Sequence, residues 1–438
     1  IIRDGSTFAE HFACDGNYEI VKLLLEHGAD TKHLDKNGDS LLNYSLYSEN
    51  DTRILELLLQ YGAEIKPDTL SRSYKNMGFE DNILGIKFIA QKMKEKGMSP
   101  GLSETLDAAI LGEWDKVDAA INSESYAPDE LESKLLFSLI LGYGKPETFA
   151  LFRESSIYQN ITDTRDFKLI NTAAKYGNMQ MVKYCIDKLG IDKDAGDLTE
   201  SALYNAAKYN QTEIVKYLCD IGAKVSYLNS SMDSYIDLDY YPIDFAVCWK
   251  NFEMLDVLMN RIQEQGDHLT EFSIMDAFQR VDMDSSDDYI DIIKYFDKKG
   301  FDFTYVLLSG NDLKYIKLFF ECGRKVTPLD VEDCLDSCDK INFLISQGAD
   351  LNQNCHSSLY HVNGGIIEEP NEFDRSLWES AVLRANMDVI KLFIENGADV
   401  NYIDDTKLKE SILQMATSST REVFTYLIDQ GADVNYKD

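Results

Sequence analysis

Residues 16–30 read GNYEIVKLLLEHGAD, in which a run of apolar residues is followed by a Gly-Ala-Asp turn. The apolar residues between Ile20 and Leu25 form one face of a short helix. Gly28 ends that helix, because helices commonly end on a residue in the left-handed conformation, which glycine adopts at little cost. A helix this short cannot bury its apolar face alone, so it must pack against neighbours of the same kind.

Copies of this stretch recur along the chain. Residues 211–223 read QTEIVKYLCDIGA, residues 386–401 read NMDVIKLFIENGADVN, and residues 426–435 read YLIDQGADVN. Gly28 and Gly62 are 34 residues apart, and so are Gly397 and Gly431. A fixed period of this length is typical of repeat proteins that stack one small unit on the next.

Each copy is preceded by a second, shorter helical pattern, such as ALYNAA at residues 202–207, whose small alanines allow close helix packing. The complete unit resembles the ankyrin repeat family, strongly at residues 1–62, 166–222 and 376–438 and weakly at 63–165 and 266–350. The resemblance implies an all-α solenoid of about thirteen stacked helix pairs with inter-repeat hairpin loops. The second helices should end near residues 28, 62, 97, 123, 155, 190, 222, 266, 300, 323, 348, 397 and 431.

No Pro-rich or Gly/Ser-rich linker interrupts the chain, so we expect one continuous array over residues 1–438. Both ends fall inside the repeat pattern, so we expect a window from a longer chain or ends that pack against something else. Within the array we expect regular repeats at residues 1–62, 166–222 and 376–438. We expect degenerate repeats at residues 63–165 and irregular repeats at residues 223–375. The irregular part carries two long insertions, at residues 227–241 and 352–375.

The composition restricts the partners. The chain has 76 acidic and 43 basic side chains, a net charge of −33, which repels nucleic acid phosphates and anionic lipid. The longest apolar stretch, around residues 135–141, is too short to span a bilayer. Eight scattered cysteines without framework spacing indicate reduced thiols and a cytoplasmic, or at least intracellular, protein, although a secreted effector stays open.

The first insertion supplies one group of candidate contact residues. Residues 227–241 interleave tyrosines with aspartates, and we select Tyr235, Asp237, Asp239 and Tyr240. Tyrosine is enriched at the centre of protein interfaces, and a carboxylate can pair with a partner's Arg or Lys. The alternative is an ordinary solvated loop whose rings fold back on the array.

The second insertion supplies another group. Residues 359–367, LYHVNGGII, have the pattern of a β-hairpin, because Asn-Gly and Gly-Gly provide the positive φ angles of primed turns. Tyr360 and His361 lie in its first strand, and Glu368 and Glu369 follow its second strand. We select these four residues as further candidate contacts, against the alternative of an extended finger without a partner.

The sequence contains no complete motif for a metal site or a catalytic site. Residues 282–291 are acidic, but the Gly and Glu that an EF-hand needs are replaced by Asp287 and Ile293. Cys334, Cys338 and the Cys-His pair at 355–356 do not match a common zinc module. No serine-nucleophile, dinucleotide-binding or phosphate-loop motif is present. We therefore expect no metal, no cofactor and no enzyme activity.

Four further expectations concern single residues. Trp114 and Trp378 fall at positions that pack inward, whereas Trp249 follows a first helix and can face the groove. Lys87 belongs to the basic stretch of residues 87–96, which we interpret as the solvated face of a helix.

The sequence therefore predicts a non-catalytic scaffold that binds another protein, expected to be basic, through its concave face and hairpin edge. Three alternatives stay open: an inhibitor or immunity-type protein that masks a basic enzyme, the recruiting arm of a larger enzyme or effector, and a structural subunit of an assembly. A repeat pattern of this kind specifies neither the partner nor the oligomeric state.

Overall fold

The structure is a computed structural model of the 438-residue chain. It describes residues 7–47, 52–76, 82–123, 125–159, 161, 166–196, 201–225, 241–267, 289–301, 303, 308, 312–352, 354–355, 359–362, 365–368, 375–403 and 409–436. The chain divides into two compact units, Ile1–Ala223 and Lys224–Asp438. Within the described residues, no helix combines the length and the apolar character that crossing a membrane would require.

The first unit consists of seven helix pairs, which we number 1 to 7. Their first helices are Phe8–Cys14, Leu41–Ser45, Thr69–Asn76, Glu104–Leu111, Glu130–Tyr143, Asp166–Lys175 and Ala202–Lys208. Their second helices are Tyr18–Glu26, Arg53–Gln60, Ile83–Glu95, Trp114–Ile121, Pro146–Glu154, Met179–Asp187 and Thr212–Asp220. A short helix, Ser156–Gln159, follows pair 5.

The second unit continues with pairs 8 to 13. Second helices are described for all six: Phe252–Glu264, Ile290–Lys298, Leu313–Glu321, Cys338–Ser346, Met387–Glu395 and Arg421–Asp429. First helices are described for pairs 8, 11, 12 and 13: Pro242–Cys248, Pro328–Asp333, Leu377–Arg384 and Ile412–Met415, the last continued by a 3-10 turn at Ala416–Ser418. Four short strands lie between pairs 11 and 12: β1 Asn354–Cys355, β2 Leu359–Val362, β3 Gly365–Glu368 and β4 Arg375–Ser376.

The prediction of an all-α repeat fold with about thirteen helix pairs is confirmed in the described residues, which contain thirteen second helices and eleven first helices. Each second helix ends one to three residues before the position predicted for it, and most of the glycines there have positive φ, such as 86° at Gly28. At most described junctions within a unit, first helices pack on first helices of the next pair and second helices on second helices. Pairs 3 and 4 instead contact mainly through helices Ile83–Glu95 and Glu104–Leu111. The apolar residues between them, such as Ala173, Val182 and Leu218, are fully buried.

Polar side chains join consecutive pairs at the turn between the two helices. The Asn178 side chain donates hydrogen bonds to the carbonyl oxygens of Leu141 and Gly144 in pair 5, at 3.0 and 2.9 Å. The same arrangement links Asn82 to Leu46 and Asn386 to Asp336. These amides satisfy carbonyl groups that the end of a helix leaves without a partner.

Candidate interaction surfaces

The structure places only part of the residues selected from the sequence. Tyr235, Asp237, Asp239, Tyr240 and Glu369 lie outside the described residues. The predicted β-hairpin is confirmed: β2 and β3 pair antiparallel, with Tyr360 opposite Ile367, His361 opposite Ile366 and Leu359 opposite Glu368. The backbone pairing thus brings Tyr360, His361 and Glu368 into one hairpin.

The base of this insertion is held by specific contacts. β1 pairs with β4, so that Asn354 lies opposite Ser376. The Ser376 hydroxyl accepts a hydrogen bond from the backbone of Glu379 at 3.2 Å, and the Glu379 carboxylate accepts one from the backbone of Ser376. Both residues are buried, and together they form the capping box of helix Leu377–Arg384. The hairpin therefore leaves the array from a fixed point.

Two large aromatic side chains are exposed in pair 8. Trp249, which follows helix Pro242–Cys248, is 45% exposed, and Phe252, which begins helix Phe252–Glu264, is 37% exposed. The Phe252 ring packs on the Tyr295 ring of pair 9, with centroids 5.2 Å apart. We call Trp249, Phe252 and Tyr295 the central aromatic patch.

A carboxylate lies beside this patch. The Tyr295 hydroxyl donates a hydrogen bond to Asp256 at 2.7 Å, and the Lys299 ammonium lies 2.5 Å from the same carboxylate. The hydrogen bond from Lys299, joined by that from Tyr295, lowers the pKa of Asp256, against the opposing effect of burial. Asp256 is therefore ionised at neutral pH and paired with Lys299, so the patch combines exposed rings with an adjacent ion pair.

A second surface, in the first unit, was missed by the sequence analysis. Tyr143, Tyr176 and Tyr209 lie at the ends of the first helices of pairs 5, 6 and 7, exactly 33 residues apart. The Tyr143 and Tyr176 rings have centroids 5.5 Å apart. Lys175 bridges the next step, because its ammonium lies 5.3 Å from the Tyr176 centroid and 4.9 Å from the Tyr209 centroid.

Two further lysines extend this set at its two ends. The Lys208 ammonium lies 5.6 Å from the Tyr209 centroid. The Lys87 ammonium lies 4.1 Å from the Tyr143 centroid and donates to the Ile110 carbonyl at 3.1 Å. We call these six residues the lysine–tyrosine row: Lys87, Tyr143, Tyr176, Lys175, Tyr209 and Lys208.

Lys87 corrects an expectation from the sequence. Its side chain does not lie on a solvated helix face: it is half-buried against Tyr143, and burial lowers the pKa of its ammonium. Gly142 explains why the neighbouring rings approach so closely. A Cβ atom at this position would lie 2.8 Å from Cδ2 of Tyr176, which is closer than carbon atoms pack. The signal in the sequence was the 33-residue spacing of the tyrosines, which equals the repeat period.

The other single-residue expectations have clear outcomes. Trp114 and Trp378 are buried, as predicted, and the Trp378 indole donates to the Asp399 carbonyl at 3.0 Å. Cys185, Cys219 and Cys334 are buried. In the part of the chain that the structure describes, no three or more His, Cys, Asp or Glu side chains are placed to hold a metal ion. Residues 282–288, His356 and the side chain of Cys355 lie outside that part.

Comparison with known proteins gives matches to one family model and to several curated relatives. The model for ankyrin repeats (3 copies) matches residues 2–69, 139–229 and 170–269. These matches cover pairs 1 and 2 and pairs 5 to 8. The structure extends the same helix-pair arrangement to pairs 3 and 4 and to the segment after residue 269.

The curated relatives match a short part of this chain. Transient receptor potential cation channel subfamily V member 6 of Rattus norvegicus is 34% identical over 93 residues, 19% of this chain and 12% of that protein. Subfamily V member 5 of Mus musculus is 30% identical over 115 residues, 23% of this chain and 16% of that protein. The chain thus matches less than a fifth of the length of these relatives.

A solved structure, that of the human ASB11 ankyrin repeat domain, covers 60% of this chain and 98% of its own at 14% identity. Its TM-score of 0.26 is too low to support an inference. Ankyrin repeats are generally protein–protein interaction modules. The matches to the ankyrin model fall on helix pairs with the predicted boundaries, so the resemblance to the ankyrin repeat family is confirmed over residues 2–69 and 139–269.

Proposed function

We propose that this chain is a non-catalytic scaffold that binds a basic partner protein through the second unit. The observation that carries the proposal is the central aromatic patch, where Trp249 and Phe252 are exposed beside the Asp256–Lys299 ion pair. Aromatic side chains of this size supply most of the binding energy at protein interfaces. Two exposed rings fit a partner that offers an apolar pocket, and the acidic charge of the second unit favours Arg or Lys around that pocket.

The charge distribution supports a basic partner. Residues 224–438 hold 40 acidic and 19 basic side chains, a net charge of −21, whereas residues 1–223 hold 36 and 24, a net charge of −12. A surface of one sign attracts a partner of the opposite sign and raises the rate of association. The second unit is therefore the stronger attractor for a cationic protein.

The two insertions of the second unit extend this proposed surface. Tyr235, Asp237, Asp239 and Tyr240 precede pair 8 in sequence, and the hairpin strands carry Tyr360, His361 and Glu368, with Glu369 next. In our proposal the tyrosines are anchors and the carboxylates orient the partner's basic groups. The eight cysteines are scattered without framework spacing, and this supports a cytoplasmic site of action.

The experiment is a partner capture with three matched proteins. The immobilised chain is exposed to lysate of its source at low and moderate salt, and the bound proteins are identified by mass spectrometry. One variant carries Trp249→Ala and Phe252→Ala, and a second changes Tyr235, Asp237, Asp239, Tyr240 and Tyr360 to Ala or Ser. The control carries Leu23→Ala and Tyr61→Ala, which are 54% and 43% exposed in the first unit.

We expect a basic protein that the control retains and the Trp249→Ala/Phe252→Ala variant loses. Retention of every partner by both variants would contradict the proposed surface. If the captured protein is an enzyme and a saturating amount of the chain abolishes its activity, the inhibitor alternative is favoured. If it keeps its activity and gains access to a second bound protein, the recruiting alternative is favoured.

A further inference from the structure

An open groove lies between the second helices of pairs 12 and 13, Met387–Glu395 and Arg421–Asp429. Its volume is about 620 Å³, which is within the range of known ligand sites. Met387 and Tyr426 line it, and so do Arg421 and Asp429, which lie at opposite ends of one helix. We call it the pair 12–13 groove.

At two other junctions, a lysine of one second helix lies over an aromatic ring of the next. The lysine is the fifth residue of its helix, and the aromatic residue is the sixth residue of the following second helix. The Lys183 ammonium lies 5.0 Å from the Tyr217 centroid, and the Lys317 ammonium lies 5.9 Å from the Phe343 centroid. Such a lysine crosses from one second helix to the next.

The junction between pairs 12 and 13 has the same two residue types without this contact. Lys391 is the fifth residue of its helix and Tyr426 is the sixth of the next, but the Lys391 ammonium lies 3.6 Å from the carboxylate of Asp388. The Tyr426 ring is half-buried, and the lysine that covers the equivalent ring elsewhere does not cover it. One face of the ring is therefore available to a ligand.

Arg421 also lacks the partner of an equivalent arginine. Arg53 begins the second helix of pair 2, and its guanidinium lies 5.4 Å from the centroid of Tyr18, which begins that of pair 1. The residue equivalent to Tyr18 in pair 12 is Met387, which has no ring. Among the residues that the structure describes, none forms an ion pair or a side-chain hydrogen bond with the guanidinium of Arg421 or the carboxylate of Asp429.

We propose that the pair 12–13 groove binds an extended segment of a partner protein with an acidic, a large apolar and a basic residue at alternate positions. Arg421 and Asp429 are eight residues apart on one helix, about 12 Å along its axis. In an extended chain, residues two and four positions apart lie on the same face, and four residues span about 13 Å. The acidic side chain reaches Arg421, the basic one reaches Asp429, and the apolar one packs on Tyr426 and Met387.

The dipole of helix Arg421–Asp429 favours the same orientation. A carboxylate at Arg421 lies at the N-terminus of this helix, where the dipole attracts negative charge, and a cation at Asp429 lies at the C-terminus, where it attracts positive charge. The charges of the groove thus complement a segment that carries one charge of each sign. None of these residues belongs to the central aromatic patch, so either surface can bind without the other.

Glu422 also lines the groove and opposes this arrangement. It follows Arg421 directly, and adjacent residues of a helix do not face each other. Its carboxylate repels the acidic residue of the segment, so its removal should strengthen binding.

The test uses the full chain and four labelled seven-residue peptides with blocked termini. The first has Glu, Phe and Lys at positions 2, 4 and 6 among serines. The second has Lys at position 5, which turns the ammonium to the opposite face of an extended chain. The third has Glu, and the fourth has Lys, at both positions 2 and 6. Fluorescence anisotropy at physiological salt measures the affinity of each.

The groove variant carries Arg421→Gln and Asp429→Asn, both at exposed positions, and keeps the net charge. The matched control carries Arg53→Gln and Asp220→Asn, which change the first residue of one second helix and the last residue of another in the same way. A third protein carries Arg421→Glu, and a fourth carries Glu422→Gln. Circular dichroism establishes that all four fold.

We expect the first peptide to bind the native chain and the control equally, and the groove variant about tenfold more weakly. Arg421→Glu should bind the peptide with two Lys more tightly than the first peptide, the reverse of the native chain, and Glu422→Gln should bind the first peptide more tightly. No binding of the first peptide, equal binding of the first and second peptides, or an equal loss in the control would overturn the proposal.

Discussion

Arg324 and Asp330 form an ion pair that is almost completely removed from solvent. Their side chains are 2% and 0% exposed, and the charged groups lie 2.5 Å apart. Arg324 also donates to the Phe303 carbonyl, and the Asp330 carboxylate accepts from the backbone of Thr327 at 2.8 Å. The pair thus joins the loop after the second helix of pair 10 to the first helix of pair 11.

Removing one partner of this pair should be costly. We expect Arg324→Met to lower the local stability of helix Pro328–Asp333 by about 3 kcal/mol, because it leaves the Asp330 carboxylate buried without a counter-charge. Hydrogen exchange measured by mass spectrometry reports this helix directly. The neighbouring Lys325→Met, which loses the same charge at an exposed position, is the control. Equal exchange in the two variants would contradict the assigned role.

His33 gives a prediction about pH. Its Nδ1 lies 2.9 Å from Oε1 of Glu10, which is 1% exposed, and this hydrogen bond, with Asp30 and Asp35 nearby, raises the pKa of His33. The resulting stabilisation is fully present below the unfolded-state pKa of about 6.5 and is lost as pH rises through the higher folded-state pKa. We expect His33→Gln to lower the melting temperature more at about pH 6 than at about pH 8.5. A difference that is constant or grows with pH would contradict this.

Single residues also show where sequence reasoning stops. Trp114, Trp378 and Cys185 were placed correctly, because the repeat pattern itself assigns their positions to the core. Lys87 was placed wrongly, because its partners, Ile110 and Tyr143, belong to the next two pairs. Contacts between pairs depend on stacking geometry, which a pattern within one pair does not contain.

At the scale of helices, the glycines after the second helices were the most informative signal. They predicted eleven of the thirteen second-helix ends to within three residues, because those helices are followed by a glycine in the left-handed conformation; the other two predicted ends are Ser123 and Ser155. The hairpin at residues 359–368 was predicted equally well from its turn residues. The lysine–tyrosine row was missed because Tyr and Lys at a helix end are compatible with any surface.

The contribution of the Asn178 hydrogen bonds between pairs 5 and 6 to stability can be tested by replacing the amide of Asn178 with a carboxylate. Asn178 caps its own helix, since its Oδ1 accepts from the Met181 backbone at 3.1 Å, and its amide group donates to the two carbonyls of pair 5. Asn178→Asp keeps the cap and removes the donors. We expect a loss of about 1–3 kcal/mol in the free energy of unfolding, measured by urea titration.

Asn17 provides the matched control for this exchange. It caps the second helix of pair 1 in the same way, with its Oδ1 accepting from the Ile20 backbone at 3.1 Å. We expect Asn17→Asp to change the stability by less than about 0.5 kcal/mol, because Asp caps a helix as well as Asn does. Similar losses in the two variants would show that the inter-pair hydrogen bonds contribute nothing measurable.

At the scale of the whole molecule, charge is the dominant property. A net charge of −33 disfavours the compact state through self-repulsion, and salt screens that repulsion. We expect the melting temperature to rise when NaCl is increased from about 10 to 300 mM, followed by circular dichroism. A falling melting temperature would mean that attractive ion pairs such as Lys299–Asp256 outweigh the repulsion.

The identical spacing of Tyr143, Tyr176 and Tyr209 has a consequence for how the gene can change. Because the tyrosines repeat with a 33-residue period, an in-frame duplication of pair 6 or pair 7 would add one lysine and one tyrosine in register, whereas pair 5 has Gly142 in place of the lysine. Recombination can therefore lengthen or shorten this surface by one helix pair at a time. The second unit, with its insertions of unequal length, lacks that freedom and must evolve by substitution.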